Sequence, residues 1–349
     1  MKRRTLLKTL ALAPLAASIR PLWGDARTLA ASFGALPEPA TVRRVFAAGP
    51  PAAVLACVLA PEKLLGWPMR MDAAALRLLA AAAAQRPFLG RLSGRGSTIG
   101  TETLLALQPD LVLDAGSVNP LHLSGAERVW QQTGLPYVLI DGRLEDHPAQ
   151  LRDVGRLLGV DARGETLATL AGRILDLVRE VRAAGDSVAP PRVYYARGPD
   201  GLDTGLGGSI NMEAIEFAGA DNVGARAGRG GLTQLSMEQI LDWDPQVVLT
   251  QDADFARRVR ADALWRGVSA VRDARVHVAP ILPFGWLDGP PGVNRLIGLP
   301  WLLARLYPGR QPMLEPARAD AFIGECFQAF YGQPLPATLQ DDAATGAGG

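Results

Sequence analysis

Several loops of this chain carry arginine, serine and aromatic side chains beside glycine, either after apolar segments that are typical of strands or directly before helical segments. Planar guanidinium groups make paired hydrogen bonds to anionic oxygens, and aromatic rings stack on flat organic groups. Any one arginine could instead be a solvated surface charge, because the composition is rich in arginine. The residues of these loops that we expect to contact a ligand are Arg95, Ser97, Ser117, Asn119, Tyr195, Arg197, Arg229 and Trp286.

Trp286 lies in residues 283–291, a segment rich in glycine and proline that follows an apolar segment. An aromatic residue in such a loop has no helix or strand packing to explain it. We therefore expect Trp286 to face a cleft, whereas Trp67 and Trp243 are interpreted as packing residues.

The sequence indicates neither a metal site nor an enzyme. His122, His147 and His277 are scattered, and no pair has the spacing of metal ligands. A metal would therefore arrive wrapped in a chelator or as an oxyanion. No Gly-x-Ser-x-Gly motif occurs, and no histidine stands in a glycine-flanked loop. A binding protein is favoured, with a hydrolase or an adaptor without a ligand as the alternatives.

Cys57 and Cys326 could form a disulfide in an oxidising compartment. Each lies in an apolar segment, however, where free cysteine commonly fills space. We expect two buried, unpaired thiols.

The overall composition describes a folded protein without a nucleic-acid partner. Of 349 residues, 48% are hydrophobic and 20% are charged, which excludes a disordered chain. The formal charge is +1, so no excess of positive charge points to nucleic acid. The length is typical of about two domains.

The first 26 residues are predicted to be a signal peptide. Basic residues precede a short apolar run that is too short to span a bilayer. Arg3 and Arg4, followed by Lys8, are typical of the twin-arginine export signal, with an ordinary secretory signal as the alternative. No later apolar stretch is long enough for a membrane helix, so we expect a soluble exported protein.

Short apolar segments alternate with helical patterns, which is typical of parallel sheets covered by helices on both faces. A helix is predicted over residues 52–59. The predicted strands are residues 42–48, 64–67, 111–113, 137–140, 192–195, 247–250 and 276–279.

One unit occurs twice, at residues 101–113 and 237–249. Each copy has an early glutamate, an apolar pair, a proline that ends the helix, and then a buried strand. So wide a spacing indicates two similar lobes rather than a solenoid. Apolar residues at helical spacing predict a helix of about 36 Å over residues 161–184, capped by Asp161 and ended by Gly185. Between the two copies, this helix would limit the opening of the lobes.

The two units, the long helix and the export signal together resemble the class III periplasmic substrate-binding proteins, which serve ABC importers of iron–siderophores, cobalamin and haem. The leader is most similar to the ferrichrome-binding branch. The resemblance implies an α/β fold of two Rossmann-like lobes with parallel sheets, joined by a single long backbone helix. The expected divisions are a signal peptide (1–26), an N-terminal lobe (27–160), the inter-lobe helix (161–184) and a C-terminal lobe (185–349) with a disordered tail after about residue 337.

The resemblance also implies a function. The chain would capture an iron–siderophore or similar metal chelate and deliver it to a membrane permease and its ATPase. Cobalamin, haem and molybdate or tungstate are alternative ligands. Permease arginines would pair with Glu102 and Glu238, although both could be ordinary first-turn glutamates favoured by the helix dipole. We expect a periplasmic monomer with no resident cofactor, no nucleic-acid partner and no membrane insertion.

Overall fold

The computed structural model describes residues 29–94, 96–185 and 189–339, so the predicted signal peptide and Arg95 lie outside the described residues, as does most of the predicted tail. The strands, numbered in chain order, are β1 (Leu29–Phe33), β2 (Val45–Ala47), β3 (Leu111–Gly116), β4 (Tyr137–Asp141), β5 (Arg192–Ala196), β6 (Asp203–Gly205), β7 (Asp221–Asn222), β8 (Leu232–Gln234), β9 (Val247–Thr250) and β10 (Val276–Val278). The α-helices are α1 (Pro50–Leu59), α2 (Ala73–Leu76), α3 (Ala81–Ala84), α4 (Thr101–Ala106), α5 (Pro120–Thr133), α6 (His147–Leu157), α7 (Asp161–Ala183), α8 (Glu213–Phe217), α9 (Met237–Trp243), α10 (Ala253–Val259), α11 (Ser269–Arg272), α12 (Arg295–Leu306) and α13 (Pro316–Tyr331).

Two four-stranded sheets form the two lobes, which confirms the predicted α/β fold. In the first sheet the order is β1-β4-β3-β2, and β2, β3 and β4 run parallel. Strand β1, which the sequence pattern did not indicate, pairs antiparallel with β4 at the edge. The second sheet has the order β10-β9-β5-β7 and is parallel throughout. Strands β6 and β8 form a small separate antiparallel pair.

The strand predicted over residues 64–67 does not form. Leu64 and Trp67 make only isolated bridges, to Val45 and to Phe88. Both side chains are nevertheless buried. The apolar pattern of residues 64–67 therefore predicted correctly that these side chains are buried. It did not predict that they would be buried without continuous pairing to a neighbouring strand.

The predicted repeat is present as α4 followed by β3 and as α9 followed by β9. The residue before the proline in each copy, Gln108 or Asp244, is left-handed, with φ of 45° and 39°. This conformation is uncommon for residues other than glycine, so the two copies leave their helices by the same unusual turn. Equivalent residues of the two units therefore occupy equivalent positions relative to the sheet of their own lobe.

The single long helix between the lobes is also present, as α7. It packs against α6, α12 and α13. Close approach to α6 depends on Gly155 and Gly164, because a Cβ on Gly155 would lie 2.9 Å from the Cα of Gly164. The predicted cap is wrong: Val160 is the N-cap and Asp161 is the first helical residue. Asp161 there places a negative charge in the first turn, where the helix dipole favours it.

The apolar core is continuous between the lobes. One cluster contains Val138 of β4, Val178 of α7, Leu249 of β9 and Phe327 of α13. Cys57 and Cys326 belong to the same cluster and are free, as predicted. Burial raises the pKa of each thiol to about 12, so neither is a thiolate at neutral pH.

A buried arginine joins the two lobes by hydrogen bonds. Arg295, at the start of α12, donates to the carbonyl oxygen of Gly142 in the first lobe at 2.9 Å. It also donates to the carboxylate of Glu213 in the second lobe at 2.7 Å. That carboxylate accepts the backbone N–H of Leu144, again from the first lobe, at 2.9 Å. Burial lowers the pKa of Arg295, and the adjacent Glu213 carboxylate opposes that shift.

Candidate functional site

A cavity of about 420 Å³ lies between the lobes, lined by residues of both. It is at the carboxyl ends of β3 and β5, where parallel α/β sheets place their binding loops. The first lobe contributes polar side chains from Arg91, Ser93, Asp114, Ser117 and His122. The second lobe contributes polar side chains from Arg197, Asn211 and Asp288.

An ion pair between Arg197 and Asp288 dominates the wall from the second lobe. The side chain of Asp288 is 1% exposed, and that of Arg197 is 24% exposed. Asp288 also accepts hydrogen bonds from the amide of Asn211 at 2.9 Å and from the backbone N–H of Gly289 at 2.7 Å. Burial acts to lower the pKa of Arg197, but the attraction and hydrogen bond to Asp288, together with smaller contributions from Tyr195 and Asp203, outweigh it and leave that pKa raised. The guanidinium is therefore permanently charged and held in position beside the cavity.

Asp114 forms a second buried polar group, on the wall from the first lobe. It is 4% exposed. Its carboxylate accepts hydrogen bonds from the hydroxyls of Ser93 and Tyr137, both at 2.8 Å, and from the backbone N–H of Ala115 at 2.9 Å. Burial raises the pKa of Asp114 although all three hydrogen bonds act to lower it.

Arg91 and His122 complete the first-lobe wall. The Nε of Arg91 donates to the carbonyl oxygen of Gly96 at 3.1 Å. The ring Nδ1 of His122 lies 2.9 Å from the side-chain oxygen of Asn119. Asn119 is the N-cap of α5, since the same oxygen accepts the backbone N–H groups of Leu121 and His122. Asn119 thus fixes the orientation of the imidazole.

The structure brings some of the predicted ligand contacts to the cavity and not others. Arg197 and Ser117 line it. Asn119 acts behind His122, and Ser97 hydrogen-bonds the carbonyl oxygens of its own loop. Arg229 is exposed beside Gly208 and is not part of the wall.

The prediction that Trp286 faces the cleft is wrong. Its side chain is 1% exposed, and its indole N–H donates to the carbonyl oxygen of Leu282 at 3.1 Å. The loop folds back against α12, where Gly298 leaves room: a Cβ there would lie 1.9 Å from the carbonyl oxygen of Trp286. The neighbouring Phe284 is buried too and contacts Trp67, with ring centroids 5.9 Å apart. The loop therefore supplies core packing rather than a ligand platform.

Tyr195, expected to stack on a ligand, is also wholly buried. It lies beneath Arg197, whose guanidinium carbon is 5.5 Å from the ring centroid. Within the described parts of the chain, no phenylalanine, tyrosine or tryptophan lines the cavity. These ranges also contain no cluster of histidine, cysteine or acidic residues arranged to hold a metal ion.

Sequence reasoning missed the acidic members of the site. Asp114 directly follows the strand predicted at residues 111–113, and Asp288 lies in the segment 283–291 that supplied Trp286. The position of each at a strand end or in a candidate loop could have identified it. Neither aspartate is predicted to be a ligand contact, because an anionic ligand is expected to pair with cationic side chains. Tyr137, inside a predicted strand, gave no such signal.

Comparison with known proteins agrees with this architecture. The family model described as "Periplasmic binding protein" matches residues 91–281. The molybdate-binding protein MolA of Haemophilus influenzae is 34% identical over 151 residues, which are 42% of this chain and 41% of that relative. The alignment therefore spans less than half the length of MolA.

Solved structures match over most of the chain. An ABC transporter solute binding protein from Sulfurospirillum deleyianum is 25% identical, with a TM-score of 0.81 over 92% of this chain and 100% of that one. H. influenzae MolA bound to molybdate is 22% identical, with a TM-score of 0.69 over 86% of this chain and 96% of that one. Since the family model covers more than half of the sequence and the two-lobed fold agrees with it, this chain is a member of the periplasmic binding protein family.

Proposed function

We propose that this chain is the substrate-binding protein of an ABC importer and that its inter-lobe cavity binds a small oxyanion of the molybdate type. The observation that carries the proposal is the make-up of the cavity wall. Within the described ranges it combines two arginines, Arg91 and Arg197, with small polar residues, two aspartates, prolines and a few aliphatic side chains, and has no phenylalanine, tyrosine or tryptophan. The relative MolA is a molybdate-binding protein, which supports the same ligand class.

Cavity size and lining favour an oxyanion over a large organic chelate. A volume of about 420 Å³ is in the lower part of the usual range for small-molecule sites. An iron–siderophore, haem or cobalamin would need flat aromatic cover for its organic shell, whereas the apolar part of the described lining consists of four prolines, two leucines, an isoleucine and an alanine. The side chains expected to give that cover, Tyr195 and Trp286, are buried in the core. A compact anionic chelate is the alternative, because Arg91 and Arg197 would pair equally well with carboxylate oxygens.

Electrostatics also support an anionic ligand. Arg197 is already oriented by Asp288, so a ligand would find its guanidinium in place and little side-chain ordering would oppose binding. Arg91 approaches from the other lobe. An anion held between them would bridge the lobes and favour the closed arrangement.

A ligand panel tests the proposal. The mature protein is titrated by calorimetry at constant ionic strength with molybdate, tungstate, sulfate, phosphate, a ferric catecholate chelate, haem and cobalamin. We expect molybdate and tungstate to bind and to raise the melting temperature, because a ligand that binds only the folded state stabilises it. Binding of haem, cobalamin or the ferric chelate without binding of either oxyanion would refute the proposal.

Glu102 and Glu238 are proposed to dock on the permease. Both side chains are exposed, and each lies in the first turn of an equivalent helix, α4 or α9. One carboxylate on each lobe would suit a permease with two similar halves, and exposed charges give register to a transient interface. The double change to alanine should abolish transport-coupled ATP hydrolysis and leave ligand affinity unchanged.

The matched control removes two exposed glutamates that lie outside the repeated units, Glu62 and Glu315. It should leave ATP hydrolysis as in the parent. Docking variants that still stimulate the transporter fully would show that these glutamates are ordinary first-turn residues.

Export by the twin-arginine route is proposed from Arg3, Arg4 and Lys8, which lie outside the described residues. In the described ranges, none of the helices combines the length and apolar character needed to cross a membrane. With both arginines changed to lysine, the precursor should remain in the cytoplasm, as cell fractionation would show. Normal processing of that variant would favour the ordinary secretory route.

A further inference from the structure

Two hydroxyl groups beside the first-lobe wall of the cavity, those of Ser93 and Tyr137, donate their protons to Asp114. The proton of Ser93 is donated to one oxygen of Asp114 at 2.8 Å. The proton of Tyr137 is donated to the other oxygen, also at 2.8 Å. A hydroxyl has one proton to donate, so while Asp114 is ionised Ser93 offers the cavity only lone pairs.

His122 likewise donates its ring proton within the protein rather than to the cavity. Its Nδ1 faces the side-chain oxygen of Asn119, which accepts two backbone N–H groups and is therefore identified as the carbonyl oxygen. Nδ1 must carry the proton of the neutral ring, and Nε2 is then an acceptor. With Asp114 ionised and His122 neutral, the side-chain groups at both positions accept hydrogen bonds. This arrangement opposes the binding of a bare oxyanion, which also offers only acceptors.

We propose that oxyanion binding takes up one proton at the Asp114–Ser93 pair: protonated Asp114 donates to the Ser93 oxygen, and the Ser93 hydroxyl rotates to donate to the anion. The proton comes from solvent, and no covalent bond forms or breaks. The Ser93 hydroxyl then donates to the anion instead of facing it with lone pairs, and the Asp114 carboxyl is neutral instead of negatively charged. The inference rests on the proposed oxyanion function and adds a residue that determines when the anion binds.

The surroundings of Asp114 support this proton uptake. Burial already raises the pKa of Asp114, so its protonated form is accessible nearer to neutral pH than that of a solvated aspartate. The charge of His122, when protonated, would lower that pKa. Across the cavity, Arg197 forms an ion pair with Asp288. The titratable or charged groups that face Asp114 or share its cavity are Tyr137 from β4, His122 from α5, Arg91, Arg197 and Asp288.

The direction of the pH effect depends on whether the protonated or the ionised form of Asp114 binds the anion. If the protonated form binds the anion, affinity must rise as pH falls, by about tenfold per pH unit when one full proton is taken up. The test measures the dissociation constant of molybdate for the mature protein over about two pH units in which free molybdate keeps its charge. Calorimetry in buffers of different ionisation enthalpy counts the protons directly on the unaltered protein.

Three variants test whether the proton that is taken up binds to Asp114. Asp114→Asn has no carboxyl group to protonate, so the affinity should lose its dependence on pH. Ser93→Ala should weaken binding at low pH, because it removes the donor that protonation creates. His122→Gln should keep most of the pH dependence, which separates Asp114 from the neighbouring imidazole.

The outcomes distinguish this inference from the proposed function. Molybdate binding by the parent with no proton uptake and a constant affinity would overturn the inference and leave the oxyanion function standing. Full pH dependence in Asp114→Asn would overturn it as well. If neither molybdate nor tungstate binds at any pH, the proposed function itself fails.

Discussion

Replacing Arg295 with methionine should lower the free energy of unfolding by about 3–5 kcal/mol, the usual cost of removing one partner from a buried ion pair. Arg295 is 0% exposed and hydrogen-bonds Gly142 and Glu213, from different lobes. Methionine fills similar space but donates nothing. The carboxylate of Glu213 would keep its charge and its hydrogen bond from Leu144 but lose its charged partner.

Denaturant unfolding, followed by far-ultraviolet circular dichroism, measures this loss. Arg152→Met is the matched control, because Arg152 pairs with Glu165 on the surface, where water screens the charges, and little change is expected. Adding Glu213→Gln to Arg295→Met should recover part of the stability, since no unpaired charge then remains. A loss no greater than that of the control would show that Arg295 contributes little to holding the lobes together.

If the proposed oxyanion function holds, replacing Arg197 with methionine should weaken molybdate binding by about 30-fold to several thousand-fold, which corresponds to 2–5 kcal/mol for truncating one member of a buried charged pair. The variant removes a guanidinium from the cavity wall. It also leaves Asp288, with a side chain 1% exposed, as an uncompensated negative charge facing the anion. Both effects act against binding.

Two further variants separate these effects. Arg197→Lys keeps the charge but not the planar fork, so its affinity should be intermediate. Arg229→Ala is the control, because Arg229 is exposed and away from the cavity wall, and it should bind as the parent does. An Arg197→Met protein with normal affinity and a normal melting curve would place the ligand elsewhere.

The sequence predicted the elements of the fold better than the directions of its side chains. Periodicity located α7 to within one residue at its end, and the repeated unit revealed both lobes. These signals are local and strong. Strand β1 was missed because its five residues, LAASF, mix small, polar and apolar types and pair only through a distant strand.

The candidate site was predicted only in part, because the direction of a loop side chain depends on contacts that are distant in sequence. Position after a strand correctly selected Ser117 and Arg197. It failed for Trp286 because a loop rich in glycine and proline can fold inward, and the space that receives it is made by Gly298, in a separate helix. Likewise, the burial of Asp114 depends on Tyr137 from the next strand of the sheet. Contacts of this kind are decided by the tertiary structure.

The continuous core means that the two lobes are separate in topology but not as folding units. Helix α7 buries residues from Leu167 to Val181 against elements that precede it and elements that follow it. Arg163 of this helix donates to Val58 in α1 and to Phe330 in α13, which lie near opposite ends of the chain. A chain cut after α6 would expose the apolar surfaces of α1 and α6 that α7 covers. The structure that forms the cleft is thus completed only when the last helix has been synthesised.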